Sequence, residues 1–337
     1  MKDGFYKRGV GFACFVIALI FDAVTLIFYG CAETLGKDYS GKTEREIYRR
    51  VAGSVTFIDV GEGDAIYAEL GDVNLLIDCG EAGKENFAAI SERIIKSGKE
   101  QIDYLVLTHA DSDHVGGAAD IIKAFPVKKA FIPLVLNEEP FPAFAKARKA
   151  LSECGAKTQV SAEYATIKGE NFFFTFLSPE PLGFAGGAYG NFNSSDMPSE
   201  RERNDISAVI YLDVCGVRFL FTGDAGENAE KRIISGAKAG VYGNAAGEEV
   251  NLFETDFLKV SHHGAEDASS KEFLAFVRPK NAVISTGLNY YGHPSAATLS
   301  RIYEASENCK IYRTDVSGSI EISVFDDGDY EVFTQAG

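Results

Sequence analysis

Four side chains that can bind a divalent metal ion lie within six consecutive positions of the sequence. They belong to the segment LVLTHADSDHVGG, residues 105–117, and are His109, Asp111, Asp113 and His114. Imidazole and carboxylate groups are common protein ligands of zinc and manganese. A calcium-binding EF-hand is excluded, because its loop would need a glutamate at the position of Ile122. The segment therefore predicts a site for one or two metal ions of another kind.

The other histidines extend this pattern to distant parts of the chain. The chain has five histidines, which fall into three short clusters at the ends of predicted strands: His109 with His114, His262 with His263, and His293. Two further predicted strands end in an acid, Asp78 in LLIDCG and Asp224 in FLFTGD. The carboxyl ends of strands in an α/β sheet meet at one edge, where ligands bind. We therefore expect these side chains to converge on a common metal site.

Strands and helices alternate in both halves of the chain from residue 54 onwards, which predicts helix-covered sheets and an α/β (α+β) fold class. DYLVLTH, residues 103–109, predicts a buried strand, and ADSDH predicts a loop. Residues 115–125 predict a helix, and its two glycines allow the backbone to come close to the site. Residues 86–98 predict an amphipathic helix whose apolar face carries Phe87, Ile90, Ile94 and Ile95.

The first 32 residues predict an export signal or a membrane anchor. Basic residues precede a long apolar run that Asp22 interrupts, and acidic residues follow it. This order of charges predicts an N-terminus inside the cytoplasm and the rest of the chain outside it. Three outcomes remain open: the run is retained as an anchor, it is cleaved after Ala32, or Cys31 is lipidated. We expect an extracytoplasmic protein that is secreted or attached to a membrane by this segment.

The chain therefore divides into three predicted regions: residues 1–32 as signal or anchor, 33–53 as linker, and 54–337 as a catalytic domain. The linker contains GKDYSGKT, which matches the phosphate-loop pattern, but it lacks the preceding strand that a nucleotide site requires. A long predicted loop, residues 183–203, is rich in glycine, serine and asparagine. Its aromatic residues include Phe184, Tyr189 and Phe192.

The overall charge restricts the class of substrate. Lysine and arginine number 33 and aspartate and glutamate 49, which gives a formal net charge of -16. An acidic surface repels phosphate backbones at long range, so nucleic acid would need a local basic patch or bound cations. The six cysteines form no CxxC pair, which argues against a thiolate zinc site and a disulfide framework. A nucleophilic serine in a GxSxG motif is also absent from the sequence.

Seven ordered motifs resemble those of one known family. They are FIDVGEGDAI, NLLIDCG, THADSDHVGG, RNDISAVIYLDVCGVRFLFTGD, LKVSHHGA, YGHP and TDVSGSIEI. Over residues 54–325 the chain resembles the metallo-β-lactamase superfamily, and within it the extracytoplasmic domain of ComEC-type competence (DNA-uptake) proteins. The resemblance implies a metal-dependent hydrolase with a four-layer αββα sandwich, here preceded by an N-terminal signal or anchor segment.

The resemblance also implies two divalent metal ions, zinc or manganese, as cofactors. Asp78 would lie beneath the site and orient the ligands. Of the two adjacent histidines after the later strand, His263 is favoured over His262 as a ligand. The implied ligands are His109 and Asp111 for one ion, Asp113, His114 and His263 for the other, and Asp224 as a bridge between both.

Two departures from the superfamily pattern affect the first ion. Asp111 stands where most members have histidine, although the ComEC-type branch shares this acid. The histidine of the third motif is absent, and Asn204 or Asp205 lies near its expected place. A site with more oxygen ligands suits manganese or magnesium better than a histidine site does, while zinc remains open.

Metal ions at this site would lower the pKa of a shared water and hold a phosphoryl oxygen, which predicts a phosphodiesterase. Asp113 would act at the catalytic centre, and His262 or His293 would contact phosphoryl oxygens or protonate the leaving group. For His293, packing of its loop is an equal alternative. The two acids beside the GEG turn, Asp59 and Asp64, are instead predicted to shape that turn through local hydrogen bonds.

Three functions fit these observations. The first is an extracytoplasmic phosphodiesterase or nuclease. The second is a phosphodiesterase that acts on a cell-envelope component, as phosphorylcholine esterases of similar fold do; Tyr290 and Tyr291 leave a choline site open. The third is a degenerate, non-catalytic binding protein, which only the missing third-motif histidine supports. A basic track into the site would favour nucleic acid, and an aromatic box would favour a choline-like head group.

Overall fold

The computed structural model describes residues 49–161, 165–179, 199–242, 247 and 249–336. The predicted anchor, most of the predicted linker, and the loop residues Phe184, Tyr189 and Phe192 lie outside these ranges. Among the described residues, no helix combines the length and apolar character needed to cross a membrane. Residues from Val51 onwards form one compact unit.

The first of two β-sheets contains eight of the strands found in the described ranges. In chain order they are β1 (Val51–Phe57), β2 (Ile66–Leu70), β3 (Val73–Ile77), β4 (Ile102–Val106), β5 (Val127–Ile132), β6 (Lys157–Val160), β14 (Ile320–Phe325) and β15 (Tyr330–Thr334). Their order across the sheet is β15-β14-β1-β2-β3-β4-β5-β6. The sheet is mixed, because β1 is antiparallel to β2 and β14, whereas β3 to β6 are parallel.

The second sheet contains the other seven strands of the described residues. They are β7 (Thr166–Lys168), β8 (Phe172–Ser178), β9 (Val209–Val214), β10 (Val217–Phe221), β11 (Phe257–Lys259), β12 (Asn281–Ile284) and β13 (Lys310–Arg313). Their order is β13-β12-β11-β10-β9-β8-β7, with β10 to β13 parallel. Strands covered on both faces carry continuous apolar runs, and β8, with the sequence FFFTFLS, is buried along its whole length.

Helices connect the parallel strands, and two short helices lie in other connections. Within the described residues they are α1 (Lys84–Lys96), α2 (Ser112–Val115), α3 (Ala118–Ala124), α4 (Pro142–Glu153), α5 (Glu200–Asn204), α6 (Glu227–Lys238), α7 (Lys271–Val277), α8 (Ala296–Ala305) and α9 (Thr314–Ser317). A short 3-10 turn, Ser261–Gly264, follows β11.

Three apolar clusters show how these layers stack. One cluster joins the facing sides of the two sheets and includes Phe57, Phe131 and Phe219. A second joins the outer face of the first sheet to α1, α3 and α4, and a third joins the outer face of the second sheet to α6, α7 and α8. Two mixed sheets with flanking helices are consistent with the αββα sandwich that the resemblance implies.

The backbone approaches itself very closely where the strands end. A Cβ atom on Gly117 would lie 2.4 Å from the carbonyl oxygen of Cys79, and one on Gly63 would lie 2.2 Å from that of Asp113. Only glycine permits this approach, which accords with the expectation for the two glycines after the metal motif. The segments after β3 and β4 are thereby held against each other.

Two local predictions were wrong. The segment ADSDH is not only a loop, because α2 begins at Ser112; the amide of Val115 donates to the carbonyl of Asp111 and closes the first turn. Ile95 is 65% exposed, whereas Ile90 and Ile94 are fully buried. Each helical residue is rotated by about 100° from its neighbour, so the residue after Ile94 leaves the narrow apolar stripe. In addition, β1 begins at Val51, before the predicted domain start at residue 54.

Candidate metal centre

Four side chains from three segments converge at the carboxyl ends of the strands. Asp113 and His114 lie on α2 after β4, Asp224 lies in the turn after β10, and His263 lies in the 3-10 turn after β11. One potential ligand atom from each lies within 4.8 Å of every other. Nε2 of His263 is 3.2 Å from Oδ2 of Asp113, and Nε2 of His114 is 3.2 Å from Oδ1 of Asp224. The group therefore joins the two sheets.

Neighbouring groups orient two of the imidazoles. Nδ1 of His114 lies 2.8 Å from Oδ2 of Asp78, and Nδ1 of His263 lies 2.8 Å from the carbonyl oxygen of Ser285. If each Nδ1–H donates to its oxygen, the Nε2 lone pair of each ring points into the cluster, as metal-binding histidines require. Asp78 thus has the position beneath the site that we expected.

Unpartnered buried atoms indicate that a cation fits this cluster. Nε2 of His109, Nε2 of His114 and Oδ1 of Asp224 are buried and form no hydrogen bond with the described residues. Buried polar atoms nearly always have partners, so three such atoms on facing side chains suit a metal ion that would satisfy them together. Histidine nitrogen with carboxylate oxygen is a donor set for zinc or manganese.

The charges of the cluster support one another. Burial opposes ionisation of Asp224, but His114 and His263 hold its pKa well below the usual range. Burial likewise opposes protonation of His114, but Asp224 and Asp113 raise its pKa well above the ordinary value. These carboxylates favour a positive charge on the imidazole of His114. A bound divalent ion would supply a positive charge in place of the proton on that ring.

The two predicted ligands of the first ion occupy different surroundings. Nε2 of His109 is 3.8 Å from Oδ2 of Asp224, and burial together with the nearby charge of His114 lowers the pKa of His109. The carboxylate of Asp111 instead accepts two hydrogen bonds from Arg203, at 2.8 and 3.0 Å. A first ion would therefore find His109 beside Asp224, and Asp111 would share its carboxylate between that ion and Arg203.

Asn204 occupies the edge of the site where the third-motif histidine is missing. Its Nδ2 lies 3.5 Å from Nδ1 of His262, and its buried Oδ1 has no hydrogen-bond partner among the described residues. Asp205 is turned away, because its carboxylate accepts a hydrogen bond from Asn228 on α6. Of the two residues that the sequence left open, Asn204 lies at the site.

The predicted proton-transfer residues lie at the side of the cluster. Nε2 of His262 is 3.9 Å from Oδ2 of Asp224, and the rings of His262 and His293 are 5.5 Å apart. Tyr291 stacks on His293 at 5.7 Å. His262 and His263 have φ values of 50° and 51°, a left-handed backbone that is costly for histidine and common at functional sites.

A buried layer beneath the cluster contains two functional candidates that sequence reasoning missed. Asp64 is 1% exposed and its Oδ2 lies 2.6 Å from Nζ of Lys259, so the prediction of a local turn role for Asp64 was wrong. Asp59 does have that role, because it accepts a hydrogen bond from the amide of Gly61. The sequence does contain a signal for Lys259, because this residue ends the apolar strand FLK. A lysine that is buried with such a strand requires a charged or hydrogen-bonding partner.

Asp64, Asp78 and His114 form a second close group of potential ligands. It shares His114 with the upper cluster, so the described residues contain two His/Asp groups, an arrangement consistent with a binuclear metal site. In this second group, however, Nδ1 of His114 already lies beside Asp78, and Lys259 already lies beside Asp64.

Three members of the cluster, Asp113, Asp224 and His263, form the floor of an open cleft of about 560 Å³. This volume suits a small ligand or one segment of a polymer. Among the described lining residues, Arg203 is the only lysine or arginine. The carboxylates of the lining are those of Glu62, Glu81, Asp111, Asp113, Glu200 and Asp224.

Comparisons with known proteins agree with the fold and the site. A model of the metallo-β-lactamase superfamily matches residues 58–170. ComE operon protein 3 of Bacillus subtilis (strain 168) is 28% identical over 286 residues, which cover 80% of this chain and 33% of that protein. Competence protein ComA of Neisseria gonorrhoeae is 27% identical over 80% of this chain and 32% of its own length. Recombination protein 2 of Haemophilus influenzae is 26% identical over 81% of this chain and 29% of its own length.

One solved structure shares the fold at low sequence identity, and a second aligns more weakly. CmlA, a diiron β-hydroxylase from Streptomyces venezuelae, aligns with a TM-score of 0.50 and 12% identity over 82% of this chain and 55% of CmlA. The metallo-β-lactamase fold protein YhfI from Bacillus subtilis aligns with a TM-score of 0.48 and 11% identity, over 83% of this chain and 99% of YhfI.

The two-sheet fold and the His/Asp cluster agree with the similarity to the metallo-β-lactamase superfamily, whose model matches residues 58–170. The chain is distantly related over most of its length to the competence proteins named above, and it spans about a third of their length.

Asp78→Asn tests how far the layer beneath the cluster controls metal binding. The amide retains one acceptor oxygen, but its NH₂ group cannot accept the hydrogen bond from the backbone amide of Thr108 while that oxygen serves the hydroxyl of Thr108 and His114. We expect the Kd for Mn²⁺ or Zn²⁺ to rise roughly 10- to 100-fold, as for other residues that orient metal ligands. Calorimetric titration measures this change, and Asp59→Asn is the matched control. Equal affinity in wild type and Asp78→Asn would mean that Asp78 does not orient His114.

Proposed function

We propose that the chain is an extracytoplasmic, metal-dependent phosphodiesterase with a four-layer αββα sandwich, and that its substrate is nucleic acid. The observation that carries the hydrolase proposal is the cluster of Asp113, His114, Asp224 and His263 at the floor of an open cleft. The distant relationship to competence proteins supports nucleic acid as the substrate class.

Different residues of the chain would have different roles in such a reaction. Asp113, His114 and His263 would hold one ion, and Asp224 lies between them and His109, where a second ion would bind. Bound ions of this kind supply an activated water and hold the phosphoryl oxygens. His262 lies at the side of the cluster and is half-buried, so it is suited to deliver a proton to the leaving oxygen.

The charge of the cleft limits which nucleic acids are suitable. The whole chain has a net charge of -16, and three carboxylates of the lining that are not proposed metal ligands, those of Glu62, Glu81 and Glu200, accompany its one guanidinium. Long duplexes would be repelled, since they depend on many contacts between basic residues and phosphates. Short or single-stranded substrates can instead gain affinity by stacking on aromatic side chains. Tyr291, which is 80% exposed and lines the cleft, is positioned for such stacking.

The same acidic lining favours a second candidate, a phosphodiester of the cell envelope with a cationic alcohol such as choline. Tyr291 and Glu200 line the same cleft, and a quaternary ammonium binds both aromatic faces and carboxylates. Phosphate hydrolysis would proceed at the same cluster, so the two candidates differ only in the group that the rim of the cleft recognises.

The location outside the cytoplasm is part of the proposal and is supported by the sequence of residues 1–38, in which basic residues precede and acidic residues follow the apolar run. The membrane is accordingly a proposed partner, through that segment.

Asp224→Ala should abolish hydrolysis. Both proposed ions lose a ligand, so we expect turnover of bis(p-nitrophenyl) phosphate to fall at least roughly 1000-fold in Mn²⁺ or Zn²⁺. Asp120→Ala, which removes an exposed acid on α3 outside the cleft lining, is the control and should retain most turnover. Substantial turnover by Asp224→Ala would contradict the proposed mechanism. A wild-type protein with neither bound metal nor activity would favour the non-catalytic alternative.

Tyr291→Ala separates the two substrate classes. If a base stacks on this ring, we expect KM for a single-stranded oligonucleotide to rise roughly 5- to 100-fold, because stacking on an aromatic side chain contributes about 1–3 kcal/mol. Glycerophosphocholine is assayed in parallel, and Tyr303→Ala on α8 is the exposed-tyrosine control. Unchanged KM for the oligonucleotide with a raised KM for the choline ester would support the second candidate.

A topology reporter tests the location. Alkaline phosphatase, which is active only outside the cytoplasm, is fused after residue 53. We expect activity from the native sequence and its loss in Leu19→Arg/Ile20→Arg, because two arginines in the apolar run each cost about 3 kcal/mol in a membrane. An inactive native fusion that is nevertheless produced in full would refute export.

A further inference from the structure

Lys259 is an entirely buried lysine directly beneath the proposed metal centre. Its side chain is 0% exposed, and its Nζ lies 2.6 Å from Oδ2 of Asp64 and 3.6 Å from Oδ1 of Asp224. Removing an ammonium group from water costs several kcal/mol unless charges and hydrogen bonds compensate it. Burial accordingly opposes the charged form, but Asp64 and Asp224 raise the pKa of Lys259 above its usual value. Asp64 and Asp224 thus supply the compensating partners that a buried ammonium group requires.

The backbone contacts of Lys259 hold the turn that carries Asp224. Its Nζ donates a 2.8 Å hydrogen bond to the carbonyl oxygen of Gly223, the residue before Asp224. Its own carbonyl oxygen accepts a 2.6 Å hydrogen bond from the hydroxyl of Thr222. The turn after β10 is thus attached to Lys259 at two consecutive residues, while the carboxylate of Asp224 faces the same ammonium.

Asp64 connects this arrangement to the other sheet. It lies between β1 and β2 of the first sheet, and its backbone amide donates a 3.2 Å hydrogen bond to the carbonyl oxygen of Asp113. Its carboxylate receives Lys259 from the second sheet. The Asp64–Lys259 ion pair therefore links the segment that carries Asp113 to the turn that carries Asp224. Asp113 and Asp224 are both proposed ligands of the same ion.

We propose that Lys259 is a positioning residue which, through its ion pair with Asp64, sets the spacing between the two halves of the metal centre. This inference rests on the proposed function, because it takes Asp113 and Asp224 as metal ligands. Lys259 touches no substrate, and it acts through the carboxylates that it holds. The ammonium group of Lys259 is already the cation beside Asp64 in the second group of potential ligands, which consists of Asp64, Asp78 and His114.

The test is a substitution that leaves the buried charge unchanged. Lys259→Met/Asp64→Asn removes one positive and one negative charge and keeps both side chains close to their original volumes. Because the net charge of the buried layer stays the same, any remaining effect on metal affinity reports orientation rather than overall electrostatics. The matched control is Arg93→Met/Glu69→Gln, which removes another largely buried ion pair, joined at 2.6 Å, away from the cluster.

Three quantities are measured on the full chain: the Kd for Mn²⁺ and Zn²⁺ by calorimetric titration, the melting temperature of the metal-free protein, and the visible spectrum of the Co²⁺ form. We expect the Lys259/Asp64 variant to raise Kd roughly 10- to 100-fold, the range for residues that orient metal ligands. The control pair should leave Kd within about threefold of wild type. The visible spectrum of the Co²⁺ form should change only in the Lys259/Asp64 variant, because it reports the geometry of the ligands.

A folded Lys259/Asp64 variant that binds both metals with wild-type affinity would overturn the inference and leave the proposed function intact. A wild-type protein that binds neither metal would overturn both. If the double variant fails to fold, Asp64→Asn decides: the ammonium then faces Asp224 alone and competes with the ion, so Kd should again rise at least tenfold. Wild-type affinity in folded Asp64→Asn would overturn the inference.

Discussion

The burial of negative charge is the constraint on which the rest of this structure depends. Asp64, Asp78 and Asp224 are each at most 3% exposed. An ionised carboxylate that is removed from water must have a charged or hydrogen-bonding partner, or it destabilises the fold by several kcal/mol. The chain satisfies these acids at one place, where the ends of two sheets meet. Asp78 has Thr108 and His114, Asp64 has Lys259, and Asp224 keeps an oxygen that no described residue satisfies.

The convergence of the histidines was predictable from the sequence because it depends on local pattern. A buried apolar run followed by polar residues marks the end of a strand, and parallel strands end at a common edge. This pattern predicted that the segments of His114, Asp224 and His263 meet, whereas the position of Asp78 beneath them was implied by the family resemblance. The general layer order also followed, since alternating strands and helices leave few ways to bury both faces of a sheet.

The partners within the site were not predictable in the same way. Arg203 and Asp111 are 92 residues apart along the chain, and no local pattern connects them. Lys259 and Asp64 belong to different sheets, so their contact depends on how the sheets stack and on which face each strand presents. Asp64 was misread because an acid near glycines is usually a turn residue, and only its burial reveals the other role. The loop predicted for ADSDH missed the start of α2 at Ser112, which is an error of element boundary. Ile95 was predicted to lie on the buried face of α1 but is exposed, which is an error of helical phase.

The acidic lining of the cleft has a consequence for the response of this protein to ionic strength. Most proteins that bind nucleic acid lose affinity as salt increases, because basic residues no longer gain from the release of counterions. Here the net charge of -16 and the three lining carboxylates that are not proposed metal ligands, those of Glu62, Glu81 and Glu200, oppose an approaching anion before it reaches the ions. Dissolved salt screens that repulsion over a Debye length of about 10 Å at 0.1 M. Moderate salinity would therefore assist the capture of an anionic substrate, which is the opposite of the dependence expected for a basic nuclease.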